Sequence, residues 1–173
     1  MKQRNRQDVK PFKFKTSLMP RPKTDFIVIH CAYTKLKQTY TAQMCHRDHL
    51  ARGFSGIGYN YFIELDGHQT EGRGRSKIGA GVKGKNNQSI HICLEGGKGP
   101  DGGDDPTAFT VEQINQTRAL IESLKRIYPR AVVVGHNELS GSKTCPVIPI
   151  KYFREDCCIK AMPKGVKNYA SVC

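Results

Sequence analysis

The sequence lacks several features that would assign it to a class at once. No apolar run approaches the roughly 20 residues of a membrane-spanning helix, and the longest are strand-sized, as at 26–29. The basic N-terminus is not followed by the apolar segment of a secretory signal. The glycine-rich stretch 72–84 does not end in the Gly-Lys-Ser/Thr of a phosphate-binding loop. We therefore expect neither a helical membrane protein, nor a Sec-exported precursor, nor a P-loop nucleotide-binding protein.

Acidic residues are scarce relative to basic ones. Fifteen Asp and Glu stand against 28 Lys and Arg, which leaves a formal charge of +13. Such an excess attracts polyanions, which include nucleic acid, lipopolysaccharide, teichoic acid and anionic lipid. RNA-recognition signatures and zinc-finger spacings are absent, so a module that reads nucleic-acid sequence is poorly supported. For the basic residues 1–24 two interpretations stay open: attraction to anionic envelope polymers, or a solvated tail without effect.

Seven cysteines occur at irregular spacing, and an odd number cannot all pair within one chain. Without an export signal, this pattern predicts reduced thiols in a reducing compartment. Cys31 and Cys93 lie inside apolar runs and are predicted to be small buried residues. Cys145 lies in a polar loop before a proline, so a different role is expected for it.

Strand and helix patterns alternate along the chain. β-branched or aromatic runs predict strands at 26–31, 58–65, 89–94 and 131–135, with a hairpin turn at Asp66-Gly67. Helices are predicted at 41–52 and 110–128, and a short one at 151–156. This order predicts an α/β fold with a mixed central sheet flanked by helices. A single domain is expected over 25–156, between a flexible extension (1–24) and a C-terminal tail (157–173).

The two main helices carry different signals. Thr110 and Gln113 have the spacing of a capping box, and an apolar stripe follows them. In the helix at 41–52, Met44 and Leu50 are the candidates for the inward face. His46 and His49 lie three residues apart on one face, where solvated surface histidines are expected and a second metal site is the alternative.

Two histidines directly follow or end predicted central strands. His30 ends the first strand and His136 follows the last, and ligand sites in open α/β sheets gather at the carboxyl ends of strands. Cys145 comes nine residues after His136 in a loop stiffened by Pro146. Two imidazoles and a thiolate would leave a fourth position on zinc for water. Spacing alone is weak evidence, because the two histidines are over a hundred residues apart.

Four motifs in order strengthen this hypothesis. They are FIVIHCAYTK (26–35), GYNYFI with Asp-Gly (58–67), SIHICLEGG (89–97), and GHNEL with KTCP (135–146). The set, from about residue 26 to about 154, resembles the type 2 N-acetylmuramoyl-L-alanine amidases, which include peptidoglycan recognition proteins and the amidase lysozymes of T-odd coliphages.

The resemblance implies a set of site residues. His30, His136 and Cys145 fall on the zinc-ligand positions, for one Zn²⁺ per chain. Tyr59 falls on the family's tyrosine beside the metal, and Lys143 on the phage-type lysine. The implied reaction is hydrolysis of the amide between N-acetylmuramic acid and L-alanine in peptidoglycan. Glu138 is expected on the surface, with orientation of a ligand as the alternative.

Substrate contacts are predicted on the same basis. The loop 72–84 is expected to line the substrate groove, with Lys83 and Asn86 as candidate contacts. Where phage-type relatives carry a histidine after Gly-Ser/Ala, this chain has Gly79-Ala80-Gly81. His91 on the following strand is the candidate substitute.

The sequence thus favours a monomeric phage endolysin, made in the host bacterial cytoplasm and acting on the cell wall after release. Two alternatives stay open. One is a non-catalytic peptidoglycan-binding protein of the same fold, against which Cys145 argues. The other is a regulator of RNA polymerase, suggested only by the positive charge and by the resemblance.

Overall fold

Seven strands and three α-helices are formed by residues 11–154, the part of the chain that the computed structural model describes. The strands are β1 (Phe26–Cys31), β2 (Thr34–Lys35), β3 (Tyr61–Ile63), β4 (Gln69–Glu71), β5 (Ser89–Leu94), β6 (Gly97–Lys98) and β7 (Val132–Gly135). The helices are α1 (Ala42–Ala51), α2 (Val111–Ile127) and α3 (His136–Leu139), with 3-10 turns at Asn86–Gln88 and Ile150–Phe153. None of the helices in this part of the chain has the length and apolar character needed to cross a bilayer.

The central sheet is mixed, as predicted. Its strand order is β4-β3-β5-β1-β7, and only the β3–β4 pair is antiparallel. Strands β2 and β6 form a separate parallel pair. The predicted α/β single-domain fold is confirmed, and β1 lies between β5 and β7, so that its carboxyl end is flanked by both neighbours.

The sheet is buried on both faces, and alternate residues of each strand serve different layers. One face packs against α2, with a core that includes Ile27, Ile29, Ile90, Ile92, Ile114, Ile121 and Leu124. The opposite face carries Val28 and His30 on β1, and His91 and Cys93 on β5. Because side chains alternate across a strand, the polar residues of this second face lie apart from the aliphatic layer.

The two main predicted helices form with nearly the predicted bounds. Thr110 and Gln113 make the expected capping box at the start of α2. Strand β3 is shorter than predicted, because the backbone of residues 58–60 bonds instead to residues 72–80 and to His91. The predicted helix at 151–156 appears as the 3-10 turn Ile150–Phe153, and residues 155 and 156 lie outside the described residues.

The inward face of α1 was wrongly predicted. His46 and His49 are buried, whereas Met44 and Leu50 are only half-buried. The reason is a pair of backbone contacts: His46 Nδ1 accepts from the N–H of Ile57 at 3.1 Å, and His49 Nδ1 accepts from the N–H of Gly58 at 2.8 Å. The two imidazoles hold the segment before β3 against α1, which neither apolar side chain could do.

Part of the basic segment 1–24 contacts the domain. The Phe12 ring stacks on His46 with ring centroids 4.9 Å apart, and Phe14 meets the same imidazole edge-on. Arg21 donates to the carbonyl oxygen of Lys77 at 3.0 Å. These contacts join residues 12–21 to α1 and to the loop before β5. Residues 1–10 and the predicted tail 157–173 lie outside the described residues.

Candidate metal centre

His30 and His136 meet at one edge of the central sheet. Strands β1 and β7 are parallel and in register, with Ile29 opposite Gly135, so the next residue of each strand lies at the same level. The two imidazole centroids are 4.8 Å apart. His30 is 1% exposed, whereas His136 is half-buried at the first position of α3. The predicted convergence of these histidines is therefore present in the structure.

Glu138 holds the segment that presents His136. Its Oε2 accepts a 2.7 Å hydrogen bond from the N–H of Gly135, and its carboxylate pairs with the Arg154 guanidinium at 2.7 and 2.8 Å. Arg154 also donates to the carbonyl oxygen of Val133. Glu138 is exposed, as expected, and it links the end of β7 to Arg154.

Cys145 is brought to the same edge by contacts on two sides. Its carbonyl oxygen accepts from the N–H of Asn137 at 2.8 Å, which anchors the loop to α3. Its Sγ accepts from the N–H of Cys31 at 3.3 Å and lies 3.9 Å from Nδ1 of His30. The Cys145 sulfur thus faces the end of β1, although Cys145 is 115 residues from His30 in sequence.

The surroundings favour a thiolate at Cys145 and a neutral imidazole at His30. A hydrogen bond with the Cys31 thiol, followed by interactions with His136 and His30, lowers the Cys145 pKa. The same hydrogen bond and burial raise the pKa of Cys31, which keeps its proton. Burial lowers the pKa of His30. Deprotonated sulfur and neutral nitrogen are the forms in which these side chains bind a metal.

The donor set fits a zinc ion. One donor atom each from His30, His136 and Cys145 lies within 4.8 Å of the other two. Zn–N bonds of about 2.0–2.1 Å and Zn–S bonds of about 2.3 Å place tetrahedral donors roughly 3.3–3.7 Å apart. Modest side-chain rotations would close the difference. Two nitrogens and one sulfur from the protein leave one position for water, as in catalytic zinc sites.

His91 lies behind His30, on the side away from Cys145. Its Nδ1 is 3.0 Å from Nε2 of His30, and the residue has no exposed surface. Burial lowers the pKa of His91 well below its ordinary value. The substrate contact predicted for His91 would need an exposed edge of the ring, and the structure places this ring against a candidate ligand instead.

Tyr59 and Lys143 border the site in different ways. The Tyr59 ring centroid is 5.2 Å from that of His30, and burial raises the Tyr59 pKa well above its ordinary value, so the hydroxyl keeps its proton. Lys143 is exposed and lies two residues before Cys145. Its N–H donates to the carbonyl oxygen of Ser140 at 3.1 Å, which closes a turn. Both lie on segments adjoining the metal-ligand candidates.

The two remaining candidate substrate contacts, Lys83 and Asn86, lie in the segment before β5. Lys83 is exposed. Asn86 Oδ1 accepts from the N–H groups of Gly81 and Val82, both at 2.9 Å, so it shapes this loop. Sequence reasoning missed Asn60, whose buried amide accepts from the N–H of His91 and donates to loop carbonyls. A polar residue inside the run 58–65 was the available signal.

Comparisons with known proteins show the family to which the chain is similar. A profile of the family described as N-acetylmuramoyl-L-alanine amidase matches residues 20–147. The endolysin of Escherichia phage T7 is 34% identical over 135 residues, which cover 78% of this chain and 88% of that protein. Peptidoglycan-recognition protein SC2 of Drosophila melanogaster is 32% identical over 114 residues, with coverage of 64% and 57%.

Solved structures share the fold. The N-acetylmuramoyl-L-alanine amidase LysC from Clostridium intestinale URNW superposes with a TM-score of 0.71 at 24% identity, covering 83% of this chain and 91% of that one. The Ph2119 endolysin from the Thermus scotoductus MAT2119 bacteriophage gives 0.63 at 26% identity, with coverage of 76% and 83%. Because the family profile spans most of the chain, this protein belongs to the N-acetylmuramoyl-L-alanine amidase family.

Proposed function

We propose that the protein is a zinc-dependent endolysin. It hydrolyses the amide bond between the lactyl group of N-acetylmuramic acid and L-alanine in peptidoglycan. The observation that carries this proposal is the convergence of His30, His136 and Cys145, whose donor atoms lie within 4.8 Å of one another in a chain of the amidase family. The endolysin name of the phage T7 relative supports a role in lysis of the host cell wall from inside.

The ligand side chains are suited to hold the ion before substrate arrives. The N–H of Cys31 orients the Cys145 sulfur. Glu138 accepts from the N–H of Gly135 and so fixes the backbone directly before His136. A zinc ion held there would supply Lewis acidity and would lower the pKa of a bound water to about 7. The protein's own contribution is a set of three donors, held by the end of β1, by α3 and by the loop that carries Cys145.

Two further side chains act on the amide carbonyl. Attack of water converts this carbonyl into a tetrahedral oxyanion, and a positive group near that oxygen lowers the barrier. We assign this role to the Lys143 ammonium, which is exposed in the same loop as Cys145. The Tyr59 hydroxyl, protonated because of its burial, donates a hydrogen bond that orients water or the substrate carbonyl.

A peptidoglycan-binding protein without catalysis is the second candidate, because one relative is a peptidoglycan-recognition protein. The thiolate of Cys145 favours hydrolysis. Binding of a saccharide or peptide needs no sulfur donor, whereas a catalytic zinc needs a third ligand. A regulatory contact with RNA polymerase, suggested by resemblance, stays a prediction without a supporting contact.

Metal analysis combined with wall digestion tests the proposal. The purified full-length protein should hold about one zinc per chain and release new amino termini from peptidoglycan, without new reducing sugar ends. Chelation should abolish release, and added zinc should restore it. Release of reducing ends would indicate a glycosidase, and wall binding without bond cleavage would support the non-catalytic candidate.

A further inference from the structure

We propose that His91 is a positioning residue that holds His30 in the orientation and tautomer required for metal binding. The inference rests on the proposed zinc function. It assigns to this strand residue a role that acts through His30 and involves no contact with substrate.

The first support is the geometry of the three side chains. Nδ1 of His30 faces the Cys145 sulfur at 3.9 Å, and Nε2 of the same ring faces His91 Nδ1 at 3.0 Å. When one imidazole nitrogen binds a metal, the other carries the proton and donates it to a neighbouring acceptor. Nδ1 of His91 is that acceptor, so its own proton lies on Nε2.

The second support is that the His91 ring has no other polar partner. Its Nε2 is fully buried and makes no hydrogen bond within residues 11–154. A buried polar atom without a partner is costly, so its presence calls for an explanation. The contact with His30 explains why a polar ring is buried here: His91 Nδ1 is the acceptor for His30 Nε2, and an apolar side chain at position 91 would provide none.

The third support is the way in which the surroundings accommodate the imidazole. Asn60 Oδ1 accepts from the N–H of His91 at 2.8 Å and fixes its backbone, while the Asn60 amide nitrogen binds the carbonyl oxygens of Gly74 and Lys77. The ring then lies against Gly79 and Gly81. A Cβ at Gly81 would be 2.6 Å from His91 Nδ1 and 2.9 Å from His30 Nε2.

A Cβ at Gly79 would likewise collide with Cδ2 of His91. Neither glycine is required there by a left-handed backbone conformation, since neither is among the residues with positive φ. Their absence of a side chain is therefore explained by the His91 ring. Loop and strand together form a closely fitted pocket for one imidazole directly behind His30.

NMR of the wild-type protein with ¹⁵N-labelled histidine tests the hydrogen bond directly. A scalar coupling between Nε2 of His30 and Nδ1 of His91 should be present in the metal-free protein. In the zinc-loaded protein the shared proton should reside on His30 Nε2. Absence of the coupling in the zinc-loaded protein, or a proton on His91 Nδ1, would overturn the inference.

Two nearly isosteric variants test the consequence for the metal. His91→Asn places an oxygen where Nδ1 was, whereas His91→Leu places a methyl group there. Zinc competition with a chromophoric chelator should show affinity falling by about 10- to 100-fold in His91→Leu and only a few-fold in His91→Asn. Excess zinc should restore turnover in His91→Leu, with an unchanged KM.

The outcomes separate this inference from the proposed function. Equal zinc affinity in folded His91→Leu and wild type, or a raised KM with unchanged affinity, would overturn only the role of His91. Failure of the wild-type chain to bind zinc, with the coupling still present, would overturn the proposed function and the role of His91 together. If His91→Leu does not fold, the wild-type coupling and His91→Asn decide the question.

Discussion

The Cys145 sulfur accepts a hydrogen bond from the backbone N–H of Cys31, although 114 residues separate them in sequence. This contact places the Cys145 sulfur at the end of β1, beside His30. Because the donor is a backbone group, the sulfur position depends on the sheet and not on a mobile side chain. The candidate metal centre is therefore formed at the end of strand β1.

Replacing Cys145 by Ser should remove most bound zinc, because a neutral hydroxyl is a much poorer zinc ligand than a thiolate. We expect less than about one-tenth of the wild-type occupancy after dialysis against a weak chelator, and loss of wall lysis with it, since one of three ligands is lost. Elemental analysis measures the occupancy. Cys173→Ser, beyond the family match, is the matched thiol control and should retain its zinc. Full occupancy in Cys145→Ser would contradict the assigned ligand set.

Replacing Lys143 by Ala should spare the metal and slow turnover. Loss of one group that stabilises an oxyanion typically lowers kcat by about 100-fold. Arg126→Ala, an exposed cation on α2, is the control for charge, because α2 packs on the other face of the sheet from His30. Steady-state kinetics on soluble peptidoglycan fragments provide the measurement. Wild-type kcat in Lys143→Ala would remove this residue from the mechanism.

Replacing Tyr59 by Phe should lower kcat by about 10-fold or more while zinc stoichiometry stays at one, because only the proton-donating hydroxyl is lost. Tyr61→Phe is a close control, since Tyr61 belongs to the core on the α2 side of the sheet. Comparing the two variants at saturating substrate isolates the effect of the Tyr59 hydroxyl on turnover. Equal activity in both would show that the Tyr59 hydroxyl takes no part.

Acid should destabilise the metal-free protein through His49. Burial, with smaller effects of Arg52 and Arg73, lowers the pKa of His49 from 6.5 to about 4. Below pH 6.5 the unfolded chain binds this proton more readily, so stability falls as pH decreases from about 6.5 to about 4, by up to about 1.4 kcal/mol per pH unit. Above pH 6.5 the contribution is constant.

His49→Asn should flatten this dependence, since the amide oxygen can still accept from Gly58 but takes up no proton. Urea unfolding at pH 7 and pH 5, with chelator present, gives the free energies of both proteins. The stability difference between pH 7 and pH 5 should be smaller in the variant. An identical difference would show that His49 does not control the acid response.

Two portions of the N-terminal segment should have different effects, one electrostatic and one on packing. Residues 1–10 carry four basic residues against one acidic residue, and their deletion should weaken wall lysis at low salt and leave it unchanged at high salt. Phe14→Ala should instead lower stability by about 1–2 kcal/mol, because a half-buried ring against His46 is lost. Lysis measured across salt concentration, together with thermal melting, distinguishes the two parts. A salt profile unchanged by the deletion would rule out an electrostatic role.

Local patterns were sufficient for much of the architecture. β-Branched runs identified β1, β5 and β7, and the Thr110–Gln113 spacing identified the start of α2. These features depend on residues close in sequence, whose side-chain period and capping groups are visible without coordinates. The metal-ligand candidates followed from strand ends and from four ordered motifs.

The amino-acid sequence by itself determined four strands of the central sheet (β1, β3, β5 and β7), the helices α1 and α2, and the family resemblance. It also identified His30, His136 and Cys145 as candidates, whereas the short elements β2, β4, β6 and α3 were not predicted. Only the tertiary structure decided that His46 and His49 are buried, that Cys31 holds the Cys145 sulfur, and that His91 supports His30. These contacts join segments between 9 and 114 residues apart. The periodicity of one segment cannot report which atoms of another segment will meet it, because that depends on strand register and on the course of the connecting loops.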